Sequence, residues 1–148
     1  MVDPMTSEDS QQPKIGVGQE NVVTEFRANG GKVGGYFADM TLLLLTAVGA
    51  RSGVPQTVPL TYVADGDRLL VFAAANGAPK HPAWFHNLVA HPEVTVEVGD
   101  ESFPAEAVVI TGSEREELLD RFEGLKPVIA RMQAKTTRVI PAVALVRR

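Results

Sequence analysis

The chain has 148 residues, 45% hydrophobic and 22% charged, with a net charge of −4 and no cysteine. That length suits one domain able to bury a core without metal or disulfide support. The acidic balance argues against general nucleic-acid binding, which needs a basic surplus, and the missing thiols exclude cysteine nucleophiles, thiolate metal sites and disulfides.

Residues 1–18 are polar with scattered Pro and Gly and read as a mobile arm, leaving 19–148 as the folded domain. Val22, Val23 and Phe26 recur at helical spacing within Gln19–Phe37 until the glycines at 30, 31, 34 and 35 end the pattern, which predicts a short helix and a turn. The most apolar run, Met40–Val48, reads as a buried strand and is too short to cross a bilayer. With no basic segment leading into a hydrophobic stretch near residue 1, the expectation is a cytoplasmic protein.

"TVPLTYVA" (57–64) and "RLLVFAAA" (68–75) flank Asp65, Gly66 and Asp67, a strong hairpin signal. Pro82–Ala90 reads as a short helix with Pro82 at its first position and Trp84, Phe85, Leu88 and Val89 on one side. "EVTVEV" (93–98) turns at "GDE" and pairs with "SFPAEAVVI" (102–110). Ser113 and Glu116 have capping-box spacing, and the helix they would open carries Leu118, Leu119, Phe122, Leu125, Ile129 and Met132 inward until Pro127 splits it. "VIPAVALV" (139–146) is a sixth strand that Pro141 places toward an edge or bulge. Hairpins interrupted by two helical excursions predict an α+β fold, an antiparallel six-stranded sheet curled into a barrel with flanking helices.

Several chemistries lack machinery. His81, His86 and His91 lie five apart, which on a helix turns successive side chains about 140° from one another, so they suit a helix with two flanking histidines better than a metal site. "GVGQEN" follows no strand and lacks the third glycine of a dinucleotide fingerprint. No Gly-x-Ser-x-Gly elbow is present, and the carboxylates at 65, 67, 100 and 101 belong to hairpin tips.

What remains is a cradle for an anion. "GARSG" (49–53) follows a buried strand and frees backbone N–H groups, with Arg51 as a forked donor and Ser52 as a hydroxyl; an exposed turn bearing one solvated arginine is the competing reading. "NGAPKHPAW" adds Lys80 and a helix start, which attracts anions. Trp84 and Phe85 read as core, the commoner fate of aromatics on a short helix, whereas Asn87 sits one turn beyond Ala83 and Trp84, placed for a polar contact to a ring or phosphate.

The stretch "LLLLTAVGARSGVPQTVPLTYVADGDRLLVFAAANGAPKHPAWFHNLVAHPEVTVEVG" (41–99), continued more weakly by "QAKTTRVIP" (133–141), resembles the deazaflavin-dependent nitroreductase family, split β-barrel proteins of the FMN-binding-like kind that use coenzyme F420. The resemblance implies that Ala50, Arg51 and Ser52 meet the cofactor's phosphate and acidic tail, and that Gln56, Thr57, Val58, Pro59, Leu60 and Thr61 run along its length. Ala73, Ala74 and Ala75 with Ala83, Trp84, Phe85, His86 and Asn87 would line the deazaflavin and its linker; Lys80 joins them on charge alone.

The implied reaction is hydride transfer from reduced F420 to an electron-poor small molecule such as a quinone, enone or nitroaromatic, with no protein acid required. Where family nitroreductases carry pocket tyrosines this chain has "LKPVIARMQ", so Leu125, Val128, Ile129 and Met132 would wall an apolar acceptor pocket that favours quinones over nitro groups. Non-catalytic binding of F420 or another hydrophobic anion, and use of FMN, are the alternatives. Nothing in the sequence indicates a membrane partner or an oligomeric state.

Overall fold

Leu42, Leu43, Leu44 and Leu45 are all buried in the computed structural model, which describes residues 14–15 and 20–148. A strand with one wet face alternates, so an unbroken apolar run needs cover on both sides. The elements that supply it run in the order β1 (Lys14–Ile15), α1 (Glu20–Ala28), β2 (Leu42–Val48), β3 (Pro55–Thr61), β4 (Val63–Asp65), β5 (Arg68–Phe72), α2 (Ala83–Ala90), β6 (Glu93–Val98), β7 (Glu101–Ile110), α3 (Gly112–Arg121), α4 (Lys126–Gln133) and β8 (Ala142–Arg147), with 3₁₀ turns at Gly35–Phe37 and Ala75–Gly77.

The sheet order is β1-β3-β2-β6-β7-β8-β5-β4, antiparallel throughout except for the β1–β3 contact. β3 lies near one end of that order and β4 at the other, yet only Tyr62 separates them in the chain. The sheet therefore curls until its two ends meet at one bend, a split barrel. Leu43, Leu45 and Ala47 point into the barrel with Val71, Val94, Val96, Phe103, Val143 and Leu145. Leu42 and Leu44 point outward onto Val23 and Phe26 of α1. α3 covers a second outer face, where Leu118 and Phe122 pack on Leu70, Ile110, Ala142 and Ala144. α2 supplies Leu88, Trp84 and Phe85 to the barrel core.

The α+β curled antiparallel sheet is the expected one, with differences in detail. The 57–64 strand breaks at Tyr62, whose N–H donates to the Thr41 carbonyl at 3.3 Å, because one straight strand cannot pair with both ends of a barrel. Among the described residues the expected six strands thus become seven plus the two-residue β1. The 68–75 strand stops at Phe72, since Ala75 and Asn76 take φ of +47° and +54°. β8 is internal, between β7 and β5, and begins just after Pro141, so the proline removes no ladder donor.

Pro82 caps α2 instead of opening it, and Val89 is exposed. The capping box does not form: Thr111 is the N-cap of α3, which puts Ser113 inside the first turn and leaves Glu116 to pair with Arg115. The split at Pro127 does occur, with the proline in the first turn of α4, where a missing N–H costs nothing. Of the arm, Lys14–Ile15 pairs in parallel with Gln56–Thr57, while 1–13 and 16–18 lie outside the described residues.

Two glycines with left-handed φ separate strain from space. At Gly66 an added Cβ meets nothing within 4 Å, whereas at Gly77 it would lie 2.8 Å from the Met132 carbonyl oxygen and from Lys135 Cβ. Gly66→Ala is expected to cost about 1 kcal/mol, from backbone strain alone. Gly77→Ala should exceed that by at least ~1 kcal/mol, because α4 must move as well. Urea denaturation of the two variants side by side checks the order.

Candidate functional site

Leaving β2, the chain turns sharply through Gly49–Gly53. The Gly49 N–H donates to the Val54 carbonyl at 2.9 Å, the Gly53 N–H to the Gly49 carbonyl at 3.0 Å, and Ser52 Oγ accepts from the Val54 N–H at 3.1 Å. A Cβ at Gly49 would fall 2.4 Å from Ser52 Oγ and 3.2 Å from the Val54 carbonyl oxygen, so a larger residue there must displace the Ser52 hydroxyl from its bond with the Val54 N–H. From α2, 7% exposed Asn87 reaches back: its Oδ1 accepts from the Ala50 N–H at 2.9 Å and its Nδ2 donates to Gln56 Oε1 at 3.4 Å. Asn87, expected to meet a ring or phosphate, thus spends its amide on a tether between helix and loop, while it also lines the hollow they enclose.

Between them opens a cavity of about 530 Å³ lined by Gly49, Ala50, Arg51, Ser52, Gln56, Ala83, His86 and Asn87. The two sequence segments read as one cradle do meet. Among the described residues the N–H groups of Arg51, Ser52, Ala83 and Trp84 have no acceptor. The exposed Arg51 and Lys80 side chains have no acidic partner there either. Free N–H groups beside the Arg51 guanidinium favour an anion, while Lys80, expected there on charge alone, does not line this hollow.

A second cavity of about 200 Å³ is lined by Thr61, Tyr62, Val63, Leu70, Phe72, Ala74, Leu125, Val128, Ile129 and Met132, without one charged side chain. All four residues expected to wall an apolar pocket converge here, from the end of the α3–α4 turn and one face of α4. Tyr62 was missed. It enters from the barrel bend rather than the helical segment, and its hydroxyl has no partner among the described residues.

The remaining expected residues lie elsewhere. Thr57 is fully buried with its hydroxyl 2.8 Å from that of Thr46, and Pro59 pairs with Leu44 on the α1 side of the sheet. Val58 and Leu60 pack into the barrel core, as do Trp84 and Phe85. Ala73 is buried and Ala75 exposed, so of that trio only Ala74 lines a cavity.

The other residue that sequence reasoning overlooked is Arg138. Its Nη1 donates to the Ala73 carbonyl at 3.0 Å, Nη2 to Ala74 at 2.8 Å and Nε to Ala78 at 2.9 Å; Nη1 also lies 2.9 Å from His81 Nδ1. An arginine donating to His81 Nδ1 leaves the neutral ring its proton on Nε2. Burial, then the positive charge of Arg138, then that of His86, holds the His81 pKa below the ordinary imidazole value. His81 also stacks against Phe85 with centroids 4.7 Å apart.

The unfolded chain takes up this proton at the ordinary pH of about 6.5, and the folded chain only at a lower one. The stability that neutral His81 contributes is therefore full above that pH and is lost as pH falls from it toward the lowered folded value. His81→Asn, which keeps an acceptor and cannot titrate, should lose less stability than wild type between pH 7 and 5, as read by thermal melts across that range. Asn87→Ala should cost about 1–3 kcal/mol, from the stranded Ala50 N–H, and should speed amide exchange at Ala50 measured by NMR.

The comparisons agree with this geometry. A protein-family model described as F420H(2)-dependent quinone reductase matches residues 19–147. An F420H(2)-dependent quinone reductase of Mycobacterium tuberculosis is 34% identical over 114 residues, covering 72% of this chain and 73% of the relative. A solved F420H2-dependent reductase, FDR-A, superposes with a TM-score of 0.63 at 36% identity over 71% of this chain and 93% of that one. A further solved structure, described only as a domain-swapped dimer, gives 0.65 at 34% identity over 86% of this chain and 93% of that one. By the family model's near-complete span and the identity to named members, the chain belongs to the F420H(2)-dependent quinone reductase family, and is an F420-dependent reductase.

Proposed function

We propose that the protein reduces a quinone with hydride from F420H2, holding the cofactor's acidic portion in the Arg51 cradle and the quinone in the apolar cavity beside α4. The observation that carries this reading is the pairing of two hollows of opposite chemistry, one with free donors and the Arg51 guanidinium, the other without any charge. The cradle fits a polyanion because the Arg51, Ser52 and Ala83 N–H groups and the Arg51 guanidinium in its lining are otherwise unsatisfied. When bound, F420 supplies the hydride and its carrier ring.

The chain's own part is binding, orientation and exclusion of water. Arg51 and the 51–52 N–H groups attract anionic oxygens, and the first turn of α2 adds its N–H groups and the positive end of its dipole. Ala74 has no bulk to keep a flat ring away from the backbone. In the second cavity Leu125, Val128, Ile129 and Met132 desolvate an apolar ring, and the Tyr62 hydroxyl is a donor for a carbonyl oxygen. A quinone suits this lining better than a nitroaromatic, whose two charged oxygens would find a single donor.

Arg51→Ala should weaken F420 binding about five- to thirtyfold, the ~1–2 kcal/mol of one charge-assisted contact. It should also flatten the dependence of Kd on ionic strength, and fluorescence titration at two salt concentrations measures both. An unchanged Kd removes the cradle from the reading. Val128→Phe narrows the second cavity and should raise KM for a naphthoquinone while leaving the F420 Kd in place, because the two linings share no residue. Steady-state oxidation of F420H2 with a panel of quinones, enones and nitroaromatics decides the acceptor class.

A further inference from the structure

The segment Ala74–Ala83 has one end in each cavity, since Ala74 lines the apolar hollow and Ala83 the cradle. It is held in a costly shape. Ala75, Asn76 and Gly77 take φ of +47°, +54° and +78° in succession, and a side chain in that region costs about 1–2 kcal/mol. Such conformers persist where neighbours over-determine them. Two neighbours do so here: the end of α4, whose Met132 carbonyl packs against Gly77, and Arg138, whose bonds to Ala73, Ala74, Ala78 and His81 bracket the left-handed residues on both sides.

Arg138 is itself anchored. Gln133, the last residue of α4, donates through Nε2 to the Arg138 carbonyl at 2.5 Å and accepts through Oε1 from the Ile140 N–H at 3.0 Å. α4 is the helix that carries Val128, Ile129 and Met132 into the apolar cavity. One line of contacts thus runs from that helix through Gln133 and Arg138 to the segment that ends in the cradle.

We infer that Arg138 is a positioning residue for the proposed hydride transfer, fixing the apolar cavity and the cradle in register through the Gln133–Arg138–His81 chain. The inference rests on the reaction proposed above. Hydride donor and acceptor react only at close, aligned approach, and a displacement of about 1 Å costs on the order of a hundredfold in rate. Lysine cannot substitute, because a point charge on a flexible stem does not reproduce a planar fork that meets three carbonyls and an imidazole at once. His81 makes the chain sensitive to acid: its ring faces Arg138 from the connection after α4, and Phe85 and His86 from α2, so protonation abolishes the acceptor and sets two cations together.

The test compares wild type, Arg138→Lys and His81→Asn for melting temperature, F420 Kd by fluorescence, and kcat and KM for oxidation of F420H2 by a soluble naphthoquinone between pH 5 and 8. The expectation for Arg138→Lys is an F420 Kd and quinone KM within about threefold of wild type and a kcat lowered about 10- to 100-fold, with millimolar guanidinium restoring part of kcat in Arg138→Ala. His81→Asn should lose the acid limb of the wild-type kcat profile. A kcat in Arg138→Lys within twofold of wild type overturns the inference. So does a joint fall of kcat, affinity and melting temperature without guanidinium rescue, which marks a merely structural arginine. Should neither arginine variant fold, His81→Leu decides, since it removes one acceptor and leaves three: a wild-type kcat there defeats the proposal and a selective loss of kcat supports it. A wild type that binds F420 yet oxidises F420H2 with no quinone defeats the proposed reaction, and this inference with it, whereas a turning-over wild type matched by Arg138→Lys defeats this inference alone.

Discussion

A half-buried guanidinium bonded to three backbone carbonyls governs the functional half of this molecule. Carbonyls of a segment that has left its sheet lose their ladder partners, and an unpaired buried carbonyl is expensive. Arg138 satisfies those of Ala73, Ala74 and Ala78 together, which permits the chain to leave β5, pass through three left-handed residues and enter α2 beside the cradle. Asn87 does the corresponding work on the opposite wall, tying α2 to the Gly49–Gly53 turn through the Ala50 N–H. Both cavities therefore take their shape from polar groups reaching across to another element's backbone, while the apolar core beneath supplies the rigidity.

That rigidity follows from the double cover on β2. Its leucines face the barrel core on one side and α1 on the other, and burial of each contributes about 1.5–3 kcal/mol. A strand so enclosed cannot slip register without exposing one of its faces. The turn that follows it is consequently presented at a fixed height over the barrel mouth, where α2 closes against it.

Much of this was legible in the residues. The Leu42–Leu45 run announced a strand covered on both faces, the Gly99–Asp100 tip announced a hairpin, and Leu125, Val128, Ile129 and Met132 share one helical face that does wall a cavity. The break at Tyr62 was not legible, because the one breaker in "TVPLTYVA", Pro59, sits inside β3 three residues earlier and the bend is imposed by closure of a sheet whose partners lie elsewhere in the chain. The likeness to a known family named Thr57 to Leu60 as cofactor contacts, yet the two-residue alternation of a strand sends Thr57 and Pro59 to the α1 side and Val58 and Leu60 inward. Arg138 was invisible for a different reason: an arginine after two threonines looks like any surface residue, and its acceptors lie about sixty residues upstream.

The position of β8 has a consequence for biosynthesis. It is the last strand in chain order, yet it lies in the interior of the sheet between β7 and β5. On the ribosome both of those neighbours emerge first and wait with open hydrogen-bonding edges, the kind of surface that recruits other strands. The nascent chain can form its local hairpins at once, but the barrel stays ajar until residues 142–147 clear the exit tunnel and slot between two edges already made. Arg138 lies just ahead of that strand, so the link between the two cavities forms only after the other described strands have been made.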